Sequence, residues 1–290
     1  MPFKSLLSET KIQLTSAQQR ALEYIIDNYE ETIFLTASRV AQKAGVSEAT
    51  IVRLAQTLGF DGYPAMQRVL REDFQSRLST VTRLEQTVKN VQDEGDILVK
   101  VMQEDLRNLT QTLRNFPIET FRLAVEDMEK AQRIFIAGLK GSHGPALVLA
   151  RYLSFIKEET YLLEPGYGAL WDILYGVGPN DLVIGISFPR YTKLTVEILE
   201  YAHTHGARVG AITDSIISPL AAYADWVLPV HCQLDSFIES FTAAMSVVNA
   251  LLTAMSIQNP RETLQSLKGR EILWKEKDIY ITPREMKKKR

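Results

Sequence analysis

The apolar residues of this chain change their period near residue 133. Before that point they recur every three or four positions, the spacing that lines one face of a helix. After it, short runs rich in β-branched residues alternate with helical stretches. In the first part, 11–30 reads as a helix capped by Thr15 or Ser16, with Ala21, Leu22, Ile25 and Ile26 facing inward. Another helix starts near Pro64, a favoured first-turn residue, after a turn at Asp61-Gly62. Between 79 and 130, Ile97, Val101, Leu106, Leu109, Leu113, Phe121 and Val125 keep helical spacing, with a break at Pro117. That stripe suits packing against another domain or a partner subunit.

The second part carries five strand-like runs: RIFIAGL (133–139), TYLLE (160–164), DLVIGIS (181–187), RVGAIT (208–213) and WVLPVH (226–231). Helices are expected between and after them, over about 144–157, 168–177, 191–205 and 237–257. Such alternation predicts a five-stranded parallel sheet flanked by helices. The expected organisation is an all-α domain over 1–78, a helical linker over 79–130, an α/β domain over 131–259 and a C-terminal tail over 260–290. The final KKKR reads as a solvated end.

Within the first domain, residues 37–56 (ASRVAQKAGVSEATIVRLAQ) fit a helix-turn-helix. Ala41 is small enough for two helices to approach closely. Gly45 can take the left-handed conformation that ends the first helix, and Ser47 is a good N-cap for the second. Ile51, Leu54, Ala55 and Leu58 form one buried stripe. The outer face is then left to Ser47, Glu48, Thr50, Arg53 and Gln56, residue types suited to a helix in the DNA major groove. An ordinary helical hairpin is the alternative, and the number of coincident positions argues against it.

Composition narrows the class. A length of 290 residues allows about two domains. No apolar run reaches the ~20 residues of a membrane span, and the first residues lack the apolar core of a signal peptide. Cys232 is the single cysteine, which excludes an intrachain disulfide and suits the cytoplasm. The net charge is −2, unevenly spread. Between 36 and 71, Arg39, Lys43, Arg53, Arg68 and Arg71 outnumber Glu48 and Asp61, whereas the α/β part is acidic on balance. A basic head on a non-basic body suits a DNA-binding regulator better than a protein that coats nucleic acid.

Ligands of open parallel sheets bind beyond the carboxyl ends of the strands. Two of those ends stand out here. GLKGSHGPA (138–146) combines Gly138, Gly141 and Gly144 with Ser142 ahead of a helix, offering backbone N–H groups and a hydroxyl to an anion. SFPRYTK (187–193) offers Ser187, Thr192 and the cation Arg190. A third loop, TDSIISPLA, follows the fourth strand. A dinucleotide site is disfavoured, because Lys140 stands where G-x-G-x-x-G needs its second glycine. Glu239, His143 and His231 are the general-base candidates if the domain is an aldose–ketose isomerase instead. His203 and His205 are two apart on a helix and cannot face one metal ion.

Taken together, LTSAQQRALEYI, LTASRVAQKAGVSEATIVRLAQTLGF and DGYPAMQ, followed by IFIAGLKGSHGPA, DLVIGIS and AHTHGARVGAITDSIISPLAAYAD, resemble an RpiR-type transcriptional regulator. Such a protein joins a helix-turn-helix domain to a SIS (sugar isomerase) domain. The resemblance covers roughly 11–257 and implies a homodimer or homotetramer; no metal or cofactor is expected. It implies binding to double-stranded operator DNA and sensing of a small anionic metabolite, a phosphosugar or related sugar acid. Carried over by position, the ligand loops are Gly141 and Ser142, then Ser187 and Thr192, with Glu239 also in the expected ligand set. The chain departs from the family's S-x-S-G-x-[ST] loop: it reads Ser187-Phe188-Pro189-Arg190-Tyr191-Thr192. Pro189 removes a backbone donor, and Arg190 adds a guanidinium able to hold a carboxylate or phosphate.

Overall fold

The computed structural model describes residues 14–33, 35–77, 80–90, 94–166, 169–234 and 236–281. Residues 11–13 of the expected first helix and the KKKR end lie outside them. The backbone divides into two units, Met1–Val101 with Gln233–Ile238 and Met102–Cys232 with Glu239–Arg290.

The first unit is helical. Helix α1 (Ser16–Asp27) opens with a reciprocal cap, in which Thr15 Oγ1 accepts from the Gln18 N–H and the Gln18 side chain accepts from the Thr15 N–H. It ends at Asn28, so the helix expected over 11–30 is cut short, and α2 (Tyr29–Thr32) follows. Helices α3 (Ala37–Ala44) and α4 (Glu48–Thr57) form the helix-turn-helix, and α5 (Tyr63–Arg77) and α6 (Thr80–Asn90) complete the run. The core gathers Ala21, Ile25, Val40, Ile51, Leu54, Ala55, Met66 and Leu70, all fully or almost fully buried. Side chains of α5 bind the chain just before α3. The Tyr63 hydroxyl donates to the carbonyls of Leu35 and Thr32, at 2.9 and 3.2 Å. Gln67 also donates to the Leu35 carbonyl, and Arg71 to that of Ile33, each at 2.6 Å. Burial pushes the Tyr63 hydroxyl up to about 12, so it remains a donor at neutral pH.

The helices α7 (Glu94–Arg114) and α8 (Ile118–Lys130) are separated at Pro117, where the sequence places a break. Of the expected apolar stripe, Leu109, Phe121 and Val125 pack on the core of the second unit, whereas Ile97, Leu106 and Leu113 are exposed.

The second unit is built on the strands β1 (Arg133–Gly138), β2 (Thr160–Leu163), β3 (Asp181–Ile186), β4 (Arg208–Thr213) and β5 (Trp226–Pro229), all parallel, in the order β2-β1-β3-β4-β5. The helices α9 (His143–Leu153), α10 (Ala169–Leu174), α11 (Lys193–Thr204) and α12 (Thr242–Gln258) cover it. Successive side chains of a strand point to opposite faces, so each strand feeds two cores. Ile134, Ile136, Leu182, Ile184 and Ile212 pack with α8, α9 and α12, while Phe135, Ala137, Val183, Val209 and Ala211 pack with α10 and α11. Gly210 is glycine because the Trp226 ring lies on it, and a Cβ there would stand 2.1 Å from the ring. The Trp226 indole N–H donates to Asp127 of α8 at 3.0 Å, and Arg208 bridges Asp127 and Asp225. At the amino end of the sheet, Arg133 holds buried Asp181 through two parallel hydrogen bonds of 2.9 and 2.6 Å.

The segment read from sequence as a tail contains a further helix, α13 (Pro260–Glu276), with Pro260 in its first turn. The Ser266 hydroxyl and the Arg270 guanidinium donate to the carbonyls of Phe155 and Ser154, and Arg270 also stacks on the Phe155 ring.

Candidate functional site

The helix-turn-helix closes as its residues dictate. Gly45 takes φ +65°, and the Val46 N–H donates to the Ala41 carbonyl at 3.0 Å. Ser47 Oγ accepts from the Thr50 N–H at 3.2 Å and meets the Thr50 hydroxyl at 2.8 Å, so the two hydroxyls serve the cap of α4. Glu48, exposed in the first turn, complements the positive end of the helix dipole. Thr57 is tied back by an amide hydrogen bond from Gln18 at 3.0 Å. With Ile51, Leu54 and Ala55 buried, the exposed face opposite them centres on Ala49, Arg53 and Gln56. Among the sequence candidates, Arg53 and Gln56 are therefore presented outward, Thr50 is half-buried, and Ser47 is committed locally. Ala49 was missed by the sequence reading. A side chain that small lets the helix approach a surface closely.

In the α/β unit the strand order reverses between β1 and β3, which is where open parallel sheets form a ligand crevice. A cavity of about 350 Å³ lies there, lined by Leu139, Lys140 and His143 after β1, Glu164 and Pro165 after β2, and Thr192 and Leu194 after β3. That volume suits a small metabolite. Two of these lining side chains approach each other, His143 Nε2 standing 3.5 Å from Oε1 of the exposed Glu164.

The loop after β1 is tight. A Cβ on Gly138 would stand 2.6 Å from the Ala146 Cβ and 2.7 Å from the Ser142 carbonyl oxygen. Lys140–Ser142 forms one turn of 3-10 helix before α9, and Ser142 is buried without capping that helix through its side chain. Gly141 is glycine for a reason the sequence did not show: a Cβ there would stand 2.7 Å from the ring of Phe241. The same ring meets Phe188 edge-on, with centroids 5.9 Å apart, so the residue just before α12 sits between the β1 and β3 loops.

The loop after β3 is pinned on both sides of Arg190. Phe188 is buried, and the Tyr191 hydroxyl donates to Asp214 at 2.7 Å. Ser187 Oγ accepts from the Thr192 N–H at 3.3 Å, closing the loop. Arg190 itself is exposed at φ +67°, in the left-handed region that glycine enters most readily.

Of the expected ligand residues, only Thr192 lines the cavity directly. Gly141, Ser142, Ser187 and Arg190 lie in the two loops from which that lining comes, and half-buried Glu239 lies outside the lining, two residues before Phe241. His143 lines it, whereas His231 does not. Burial lowers the His231 imidazole pKa, and the His231 backbone N–H donates to the Thr112 hydroxyl at 2.9 Å. Leu139, Glu164, Pro165 and Leu194 are lining residues that the sequence reading did not single out, and Lys140 entered it only as an argument against a dinucleotide site. Among the described residues, no three His, Cys, Asp or Glu side chains are placed to hold a metal ion, and no helix is long and apolar enough to cross a membrane.

Comparison with known proteins agrees with this division of the chain. Residues 1–77 match the model of the helix-turn-helix domain of the rpiR family, and residues 127–254 match that of the SIS domain. An uncharacterized HTH-type transcriptional regulator of Haemophilus influenzae is 26% identical, over 74% of this chain and 75% of its own length. Another, from Clostridium perfringens, is 22% identical, over 77% and 79%. The sugar isomerase domain of the RpiR transcription factor from Sphaerobacter thermophilus superposes with a TM-score of 0.58 at 31% identity, covering 60% of this chain and 98% of that domain. The Vibrio vulnificus NanR protein complexed with ManNAc-6P shares the fold, with a TM-score of 0.56 at 20% identity, over 94% of this chain and 98% of that one.

Proposed function

The chain belongs to the rpiR family of helix-turn-helix proteins with a SIS domain, and on that premise we propose that it is a transcription regulator that binds operator DNA and is tuned by a small anionic metabolite. The observation that carries the reading is one chain holding an exposed Ala49–Arg53–Gln56 face on the second helix of a helix-turn-helix and a metabolite-sized cavity at the β1/β3 crevice. Arg53 and Gln56 read base edges in the major groove, while Ser47 and Thr50 hold the cap of α4 and Glu48 interacts with the helix dipole. The effector occupies the cavity. Thr192 meets it directly, while Gly141, Ser142 and Ser187 belong to the two loops that carry the lining and Glu239 stands two residues before Phe241. A phosphosugar fits this chemistry, in line with the ManNAc-6P bound by the Vibrio protein of like fold.

The protein acts in the cytoplasm as a homodimer or homotetramer. The exposed apolar residues Leu106 and Leu113 of α7 give it a surface for self-association, and a dimer reads half-sites one helical turn, or a multiple of it, apart. The test is selection of DNA sites from a random library by the full-length protein, followed by anisotropy titration with and without a panel of sugar phosphates. Enrichment of a pseudo-palindrome whose affinity shifts with one panel member supports the reading. Uniform, sequence-independent binding defeats it.

The His143–Glu164 pair favours a second reading, a SIS-fold isomerase, since a carboxylate and an imidazole beside one cavity can move protons. Conversion of any aldose phosphate of the same panel into its ketose would establish that activity.

A further inference from the structure

Between β5 and α12 the chain leaves the α/β unit and returns to it. Cys232 and Glu239 belong to that unit, whereas Gln233–Ile238 groups with the helical one. The base of this strap is fixed. The Ser240 N–H donates to the Cys232 carbonyl at 3.0 Å and closes it, and both residues are buried. The Ser240 hydroxyl donates to Asp105 of α7 and accepts from the Thr242 N–H at 3.3 Å. On the other side the His231 backbone N–H donates to Thr112, seven residues after Asp105 on the same face of α7. Ser240 is thereby held as a pivot between the strap and α12.

What lies on either side of the pivot differs. One residue beyond it, the Phe241 ring stands against Gly141 of the β1 loop and Phe188 of the β3 loop. Three residues before it, the Phe237 carbonyl accepts from the Arg83 guanidinium of α6 at 3.1 Å. From Phe237 to Phe241 the chain can span about 14 Å at most, so it has little slack. The Arg83 hydrogen bond is exposed, as are the Phe237 and Ile238 side chains, so it can be made and broken without opening a core. We propose that residues 233–240 form a conformational relay. A shift of either ligand loop moves Phe241, and the strap carries that shift across Ser240 to the Phe237 carbonyl, seating it on Arg83 or withdrawing it. The relay rests on the sensor reading above and names the route by which an occupied cavity reaches the helical unit. An effector drives it only by preferring the seated or the withdrawn state.

The test uses full-length protein without effector. Gly141→Ala and Phe241→Leu perturb the ring, one by crowding it and the other by shrinking it, so a folding failure in one leaves the other. Hydrogen exchange of α6 and anisotropy titration on the selected DNA site are the two readouts. Each ring variant is expected to change α6 exchange and DNA affinity by about fivefold or more, the lower end of typical coupling between sites. Asp181→Ala, which weakens the same unit at the opposite end of the sheet, is expected to leave both readouts at wild-type values. Arg83→Met keeps the aliphatic stem and removes the donor, and in that background the ring variants are expected to leave DNA affinity unmoved. The same response with and without Arg83→Met overturns the relay and leaves the sensor reading standing. A response of equal size in Asp181→Ala also overturns it, since general loosening of the unit would then suffice. Selection of no DNA site by the wild type defeats the sensor reading by itself. The exchange readout still decides the relay in that case: unaltered α6 exchange in both ring variants overturns it.

Discussion

The contact between Gly141 and Phe241 yields a quantitative prediction about how the two ligand loops are coupled. In Gly141→Ala the new methyl would lie 2.7 Å from the ring's Cζ and 3.2 Å from its Cε2. Carbon atoms settle at roughly 3.5–4.0 Å, so the ring must retreat by about 1 Å. It cannot do so freely, because it packs against the core of the unit and its ring meets that of Phe188 in the β3 loop. Overpacking of this kind costs about 1–3 kcal/mol, and the displacement passes from the β1 loop through Phe241 to the β3 loop. Phe241→Leu alone loses the aromatic contact, worth about 0.5–1.5 kcal/mol beyond its buried area.

Together the two substitutions should cost less than the sum of their separate effects, since the smaller side chain makes room for the methyl. A favourable coupling of about 1 kcal/mol is expected, within the range for residues in contact. Urea unfolding of the α/β unit measures it, provided the denaturant slope is unchanged across the four proteins. Effector affinity should follow the same pattern, weakened in Gly141→Ala and partly restored in the double variant. Strict additivity would show that the ring yields without resistance and that the loops are not mechanically linked.

Other expectations follow from the same geometry. Arg53→Ala should weaken binding to the selected DNA site by about 1–3 kcal/mol and binding to random DNA by less, as read by anisotropy; equal losses would place Arg53 on the phosphates. Ser47→Ala should cost the first unit about 1 kcal/mol in a chemical melt through loss of the α4 cap. Asp181→Ala should destabilise the second unit by about 3 kcal/mol, the lower end for a broken buried pair, because Arg133 keeps some access to water. Its effector affinity should stay at the wild-type value, since Asp181 opens β3 at the opposite end from the crevice. Burial holds His231 below its ordinary 6.5, so the unfolded chain takes up that proton first as the pH falls. Stability from this group is intact above about 6.5 and is lost below it, toward the lower folded-state pKa. A flatter melting profile over that window in His231→Asn, measured by thermal scans, would confirm the assignment.

The strands and the helix-turn-helix were legible in the sequence because each is written locally. Strand runs such as DLVIGIS are apolar on both faces, and Gly45-Val46-Ser47 spells a turn and a cap within three residues. The crevice was legible as loops but not as a lining. Lys140, Glu164 and Leu194 meet only because β1, β2 and β3 are neighbours in an order that no local pattern encodes. Gly141 was read as part of an anion-binding loop, whereas the neighbour that requires a glycine there is a ring about a hundred residues further along the chain, and no spacing rule links the two. Helix α13 carried a readable signal, Asn259-Pro260 followed by Leu264 and Leu267 at helical spacing. Its mixed charges and Gly269 made it resemble a tail. Ser47 and Thr50 were assigned to DNA from their residue types and their place on the outer face, and in the structure their hydroxyls also meet each other in the cap of α4.

The indole of Trp226 on Gly210 has a practical consequence for anyone measuring this protein. The chain has three tryptophans, Trp171, Trp226 and Trp274, and all of them belong to the α/β unit. Trp226 is almost fully buried, so it should emit at short wavelength until the sheet comes apart. The helix-turn-helix unit contributes no indole signal. Fluorescence excited selectively at tryptophan therefore follows one unit alone, while helical circular dichroism follows both. The difference between the two traces separates melting of the reading head from melting of the sensor without any label, which matters for a chain whose two units need not unfold in one step.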